Sequence, residues 1–346
     1  MSEGAVTKSQ PAAASNAALP WWRRVEGLSI IIVFVALIGL FMALSPEVFL
    51  GWPIYLSFLT TVPPMLILAL GLTLIIAAGE IDLSFPSVVA FSGFLFAWFT
   101  RTYDLPWIGA IAALLGGALV GWLNGVLVAW LGIPSIIATI GSQFFWSGIA
   151  TVLSGGLSYS LRTVDGTAIY ATFAGELWGV VPMQSLWAVL LAVAIWFLLN
   201  RHRFGEHLLF IGDNANVAQV VGINVAREKM KVFVLMGVIG GISAVLLTLE
   251  NKNFFSTQGQ GYLLNALAAV FIGGTSVLGG AATVVGTFFG GFIIGMIEAG
   301  IVATGIAGFW VRAIVGVVFV AAVAFHLTVE EPGRLRALAR RLFRSG

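Results

Sequence analysis

"AAGEIDLSFPS", Ala77 to Ser87, sets Glu80 and Asp82 two residues apart between two apolar runs. A carboxylate inside a bilayer is costly, so an acid in such a place has a partner, a water-filled cavity or a task. The position of this stretch relative to a membrane therefore decides how the chain folds. Pro86 suits the first turn of the helix that follows, and Ser84 stands where its cap would be. Asp82 near that helix start complements the positive end of the helix dipole.

The surrounding sequence puts the stretch in a membrane protein. The 346 residues are 59% hydrophobic and only 9% charged, with 42 glycines, 12 tryptophans and no cysteine. A soluble globule of this length needs far more polar surface, so the chain is read as polytopic and all-α. Without cysteine there is no disulfide and no thiolate metal site; no metal is expected. A formal charge of +2 gives no reason to expect nucleic acid as a partner.

Apolar stretches long enough to cross a bilayer fall near 28–45, 55–79, 83–100, 107–130, 134–154, 184–200, 231–250, 263–279, 281–303 and 309–328, about ten spans in all. Arg23 and Arg24 precede the first span and place the N-terminus in the cytoplasm. Alternation then puts 201–230 and the C-terminal tail on the same side. All 17 lysines and arginines except Arg101, Arg162, Lys252 and Arg312 then fall on cytoplasmic segments, the asymmetry of the positive-inside rule. Both termini are expected to be cytoplasmic. The domain division is a disordered tail over 1–22, a transmembrane region over 23–330 containing the loop 201–230, and a basic tail over 331–346. Residues 1–20 read as a tail rather than a cleaved signal. Arg23-Arg24 reads as flanking charge rather than a twin-arginine signal.

Small residues recur at four-residue spacing: Gly117, Gly121 and Gly125, then Gly237 with Gly241, Gly286 with Gly290, and Gly291 with Gly295. Such stripes let helix backbones approach closely where lipid removes the hydrophobic force between helices. They are expected to pack within the chain rather than to form a dimer seam.

Interrupted spans at corresponding places in two halves point to a transport pathway. "GWLNGVLVAWLGIPSIIATIG" from Gly121 and "GMIEAGIVATGIAGFWVRAIVG" from Gly295 each carry a polar residue three positions in, Asn124 and Glu298, followed by a Gly or Gly/Pro break. The same shift takes 79–87 to "LENKNFFSTQGQGY", 249–262, on the other side of the membrane. An inverted repeat relating 55–154 to 231–328 would account for this; so would a chance likeness of two Gly-rich helices.

The longest hydrophilic cytoplasmic stretch is "RHRFGEHLLFIGDNANVAQVVGINVAREKMK", 201–231. Within it Ala215 to Val221 is expected to form a short amphipathic helix, with Val217, Val220 and Val221 near one face. Asp213 or Asn214 would cap it. Glycines at 205, 212 and 222 around an ordered helix favour a docking surface.

Three stretches in order carry a resemblance. "TLIIAAGEIDLSFPSVVAFSG" resembles the G-I-D-L-S-V-G-S region of ribose-type sugar permeases of ATP-binding cassette (ABC) importers. "FGEHLLFIGDNANVAQVVGINV" is similar to their G-R-x-I-Y-A-x-G-G-N-x-x-A-A-x-x-x-G-I-N-V loop, and "GYLLNALAAVFIGGTSVLGG" to their G-Y-E-L-x-A-I-A-A-V-x-L-G-G-T-S-x-x-G-G run. The resemblance implies a permease subunit in the bacterial inner membrane, paired with a second copy or a paralogue. Its further partners would be a cytoplasmic ABC ATPase subunit and an external sugar-binding protein. ATP and magnesium would sit on the ATPase, with no cofactor in this chain. No G-x-x-x-x-G-K-[ST] phosphate loop occurs in the sequence, and the largest external segment, 155–183, is short. Gly205, Gly212, Asn214, Ala218, Gly222, Ile223 and Asn224 match the family loop, which implies that they engage the ATPase. Asp213 departs from the usual second glycine.

Only Asp82, Leu83 and Ser84 carry over in the first motif, because Glu80 and Pro86 stand where the family has glycine. Glu80 either faces cytoplasmic water or joins Glu298, which replaces a family asparagine, in lining a polar cavity. The substrate pathway is expected among Glu80, Asp82, Asn124, Gln143, Asn265 and Glu298, with Phe144, Phe145, Trp146, Trp107 and Trp310 as aromatic faces for a sugar ring or as a lipid-interface belt. Acids and amides with only Arg312 as a cation within a span favour a neutral monosaccharide or sugar alcohol. Arg312 itself would snorkel outward or pair with an acid. An ion-coupled secondary transporter using Glu80, Asp82 or Glu298 is the alternative. A channel and an intramembrane hydrolase are weaker, the latter because Glu80 and Asp82 at i and i+2 point to different helix faces.

Overall fold

The computed structural model describes residues 27–330, with side chains to residue 324. The expected tails, 1–22 and 331–346, lie outside the described residues.

The chain runs α1 (Leu28–Leu44), α2 (Pro46–Phe49), α3 (Trp52–Thr61), α4 (Pro63–Ala77), α5 (Phe85–Tyr103), α6 (Pro106–Gly125, continued as a π-helical turn Val126–Trp130), α7 (Ser135–Ser154), β1 (Tyr159–Ser160), α8 (Ala168–Phe173), β2 (Glu176–Leu177), β3 (Val181–Pro182), α9 (Met183–Asn200), α10 (Arg203–Val220), α11 (Val225–Asn251), β4 (Asn253–Phe254), α12 (Tyr262–Ile272), α13 (Val284–Ala303) and α14 (Val311–Glu330). Helices dominate, as the composition requires. Each expected span falls on a helix or a pair of helices. Among the described residues five helices are long and apolar enough to cross a membrane alone; a sixth follows if α3 and α4, bent by 49° at the break between Thr61 and Pro63, count as one.

The expected span 263–279 is continuous helix only over Tyr262–Ile272. At 1.5 Å per residue α12 is about 16 Å long, half the apolar thickness of a bilayer. Just past its end Gly274 takes left-handed backbone angles, as do Gly279 and Gly280 further along the break, conformations that glycine adopts without a steric penalty.

Helix α4 is the axis of the molecule. Every residue from Pro63 to Ala77 is buried, as expected for a helix that is apolar all round. It is packed by α9, α11, α12 and α13. The α6 and α11 pair is the most extensively packed, and here glycine stripes let the backbones meet. A Cβ on Gly117 would collide with the Gly237 carbonyl and one on Gly237 with the Gly117 carbonyl, while Gly121 faces Phe233 and Gly241 faces Ala113. The stripes are an intrachain seam, as their spacing predicts.

The expected loop 201–230 is mostly helix. Asn214 (φ −159°, ψ 102°) breaks α10 into two parts. Its Oδ1 accepts from the N–H groups of Asn216 and Val217, both at 3.1 Å, so Asn214, not Asp213, caps the short helix.

At the opposite end, 155–183 forms a small cap. β1 pairs with β4 and β2 with β3, both antiparallel. Lys252 Nζ reaches Asp165 Oδ2 at 2.7 Å and lies 4.8 Å from the Tyr170 ring centre. The Asp165 carboxylate holds the Lys252 ammonium above the usual lysine range.

Candidate functional site

Between α4 and α5 the chain leaves the helix at Gly79 and runs without regular structure through Glu80 to Ser84, with Asp82 and Ser84 buried and Glu80, Ile81 and Leu83 half-buried. Buried non-helical backbone persists only where protein supplies its hydrogen bonds. Helix α7 supplies the acceptors from one face. Ser135 Oγ takes the Ile81 N–H at 3.1 Å, Thr139 Oγ1 the Leu83 N–H at 3.0 Å, and Gln143 Oε1 the Ser87 N–H at 2.9 Å. Polar groups at i, i+4 and i+8 stack on one side of a helix and meet two donors of the non-helical segment, at Ile81 and Leu83, and one in the first turn of α5, at Ser87. Of these three, only Gln143 is identified by the sequence reading. Ser135 and Thr139 were legible as a polar stripe in an apolar helix.

Asp82 is 2% exposed. Its Oδ1 accepts from Ser84 N at 2.7 Å and Ser84 Oγ at 2.6 Å, and Asn124 Nδ2 donates to Ser84 Oγ at 2.7 Å. Asp82 therefore holds the turn at the start of α5, the structural role that the sequence favoured. Ser84 stands at the cap position, but its hydroxyl does not cap α5; it is turned instead to Asp82.

Glu80 forms an ion pair with Lys229 of α11, and Glu298 accepts from Asn265 Nδ2 at 2.7 Å. The cavities that Glu298 lines do not include Glu80; the two glutamates find partners on different helices, Lys229 of α11 and Asn265 of α12. Of the two expectations for Glu80, a cavity shared with Glu298 is the one this arrangement does not support.

Three backbones converge beside Glu80. Gly280 N–H donates to Ala77 O at 3.1 Å. A Cβ on Gly212 would strike both Ala77 O and Gly280 N, and one on Gly280 would lie 3.0 Å from Asp213 Cα. The break after α4 thus touches the break after α12, both at the end of the first half of α10. The segment that touches 78–84 is thus 273–283, whereas β4 of 249–262 joins the opposite cap.

The remaining matched loop residues build this corner. Gly205 packs on the backbone of Leu198 and Leu199, and Gly222 has a φ of +90°. Ala218 is buried with Ile211 and Val225, against which Ile223 packs, and Asn224 caps α11 by accepting from Arg227 N at 3.0 Å. Three valines project outward, Val217, Val220 and Val221 at 54%, 87% and 65% exposed, beside exposed Asp213, Asn216 and Gln219. The predicted amphipathic face points away from the protein.

A second polar region lies between α12, α13 and α14. A cavity of about 1120 Å³ is lined by Gln260, Tyr262, Asn265, Glu298 and Arg312 together with apolar neighbours. A smaller one of about 270 Å³ toward α3 and α4 shares Tyr262, Asn265 and Glu298. Gln260 and Tyr262 had no distinguishing signal in the sequence beyond the polar interruption they belong to. Arg312 is exposed in this cavity and, among the described residues, forms no ion pair. None of the expected aromatic faces lines it. Phe144 and Phe145 are 76% and 59% exposed on the outside of α7, Trp146 packs on Phe91 at 4.7 Å, and Trp107 and Trp310 are surface-exposed. The expected pathway residues therefore form two groups, one around 80–87 and one around Asn265 and Glu298.

Comparison with known proteins places this architecture. Residues 54–323 match the family model described as branched-chain amino acid transport system / permease component. The ribose import permease protein RbsC of Escherichia coli K12 is 30% identical over 88% of this chain and 93% of its own length. The D-allose transport system permease protein AlsC of the same strain is 30% identical over 90% and 94%. The autoinducer 2 import system permease protein LsrC of Klebsiella pneumoniae is 32% identical over 90% and 88%. No solved structure matches. The chain belongs to this permease family, among the ribose-type sugar permeases of ABC importers that its three motifs resemble.

Proposed function

We propose that this chain is the membrane subunit of an ABC importer that passes a monosaccharide or sugar alcohol across the bacterial inner membrane. An external binding protein delivers the solute, and a separate cytoplasmic ATPase, with ATP and magnesium, drives alternating access. The chain crosses the membrane about ten times with both termini in the cytoplasm, pairs with a second permease copy or a paralogue, and holds no cofactor.

The observation that carries this reading is the corner at Gly79, Gly212 and Gly280. The exposed valine face of 215–221 is the surface for the ATPase. Just before the Asn214 kink, Gly212 bears directly on both helix breaks. A push on the valine face reaches the non-helical segments without passing through flexible side chains. Since packed cores are bistable rather than continuously deformable, such a displacement becomes a change of access. The names of the ribose and D-allose relatives, together with the amide, hydroxyl, carboxylate and guanidinium groups of the large cavity, support a small polyhydroxylated cargo.

The test is reconstitution in sealed vesicles. Sugar uptake that requires ATPase, binding protein and ATP together supports the proposal. Uptake that follows a proton or sodium gradient and persists without ATP supports the ion-coupled reading, for which Glu298 is the acid still facing a cavity. Passive conduction by the chain alone supports a channel.

A further inference from the structure

We infer that the groove between α1, α9 and α13 is a binding site for one acyl chain of an anionic phospholipid, whose headgroup sits at Arg201. Two apolar hollows of about 390 and 290 Å³ share Val189 and Phe288 and so form one crevice. Phe34, Trp52 and Phe292 wall one end, and Trp196 the other. The hydroxyls at the first end are turned away: Tyr55 donates to Phe49 O and Ser185 to Pro182 O, both at 2.7 Å. Apart from the indoles of Trp52 and Trp196 at its ends, the crevice is walled by apolar side chains, which suits a hydrocarbon chain and not a sugar.

Length and charge select the occupant. Along α9 the crevice runs from Ser185 to Trp196, about 16 Å at helical rise. One leaflet of a bilayer core is about 15 Å deep, the reach of a single acyl chain. Arg201 closes the Trp196 end, its guanidinium 5.8 Å from the Trp196 ring centre, and exposed Arg203 follows two residues on. The far end, near Ser185, has no basic side chain in its wall. A tryptophan at the edge of the hydrocarbon with arginine just beyond it is the arrangement that receives an anionic headgroup. The site is separate from the Asn265–Glu298 cavity.

The permease, purified with its partners and placed in nanodiscs of equal parts phosphatidylglycerol and phosphatidylcholine, is exposed to each lipid in turn carrying a photoreactive acyl chain. Labelling of peptides containing Val189 and Phe288, with phosphatidylglycerol preferred by about fivefold, is expected. Val189→Trp fills the shared waist and should abolish labelling. Arg201→Gln, at the surface, leaves the crevice intact and should erase only the preference. Labelling spread evenly over all outward helices overturns the inference. So does labelling of these peptides that appears only after residues 1–22 are deleted, since that segment would then be the native occupant. An unchanged lipid preference in Arg201→Gln overturns the assignment of the headgroup.

Discussion

Thr139→Val tests the principle by which a broken span is held in this protein. Thr139 is fully buried. Its hydroxyl donates to Ser135 O at 2.7 Å and accepts the Leu83 N–H at 3.0 Å, and Leu83 N–H has no other acceptor among the described residues. Valine keeps the volume and removes the acceptor, so an N–H is left unsatisfied where water does not reach. The expected cost is about 1–3 kcal/mol. The upper half of that range is expected, because the segment has no aqueous alternative. Thr139→Ser retains the hydroxyl and loses one buried methyl group, about 0.8 kcal/mol. The serine variant should therefore be the more stable of the two despite its smaller side chain. Equilibrium unfolding in mixed micelles gives both differences, and coupled sugar uptake reports whether the loosened segment still gates. A valine variant as stable as wild type, or a serine variant less stable than the valine one, would refute the account of α7 as the acceptor face for residues 81–87.

Gly212→Ala forces Ala77 O and Gly280 N apart and should cost about 1–3 kcal/mol; ATP hydrolysis that continues without uptake is the expected phenotype, measured in vesicles. Removing one partner of the largely buried Glu80–Lys229 pair, as in Glu80→Gln, should cost about 3 kcal/mol. The double exchange Glu80→Lys with Lys229→Glu should recover most of it, as a double-mutant cycle would show. Val220→Asp alters an exposed side chain and should leave the melting temperature unchanged while weakening capture of the ATPase subunit. Arg312→Ala should lower uptake at normal membrane levels; wild-type uptake counts against a role for Arg312 in the large cavity.

Local chemistry made much of this legible in the sequence. Transfer into lipid is nearly additive along a chain, so runs of apolar residues marked the helices, and the glycine spacing announced the α6–α11 seam. Asn214 and Asn224 cap helices two or three residues away, a distance sequence reading can cover. The short helix over 215–221 was visible for the same reason, and the three ordered motifs carried the family.

The tertiary structure alone decided which broken segments meet. The acceptors for 81–87 lie more than fifty positions away on α7, Glu80 finds its cation on α11, and Asn265 finds Glu298 on α13. Each pairing depends on how a helix is rotated about its own axis, and in a helix apolar on every face, such as α4, the hydropathy pattern carries no record of that rotation. The break after α12 was read as part of a span because Val277 and Leu278 sit among its small residues, while the left-handed turns at Gly274, Gly279 and Gly280 that keep it out of helix are conformations the hydropathy pattern does not record. Sequence thus determined that the chain is helical and lives in lipid, while side-chain packing and the need to satisfy buried backbone groups determined which of its helix breaks meet.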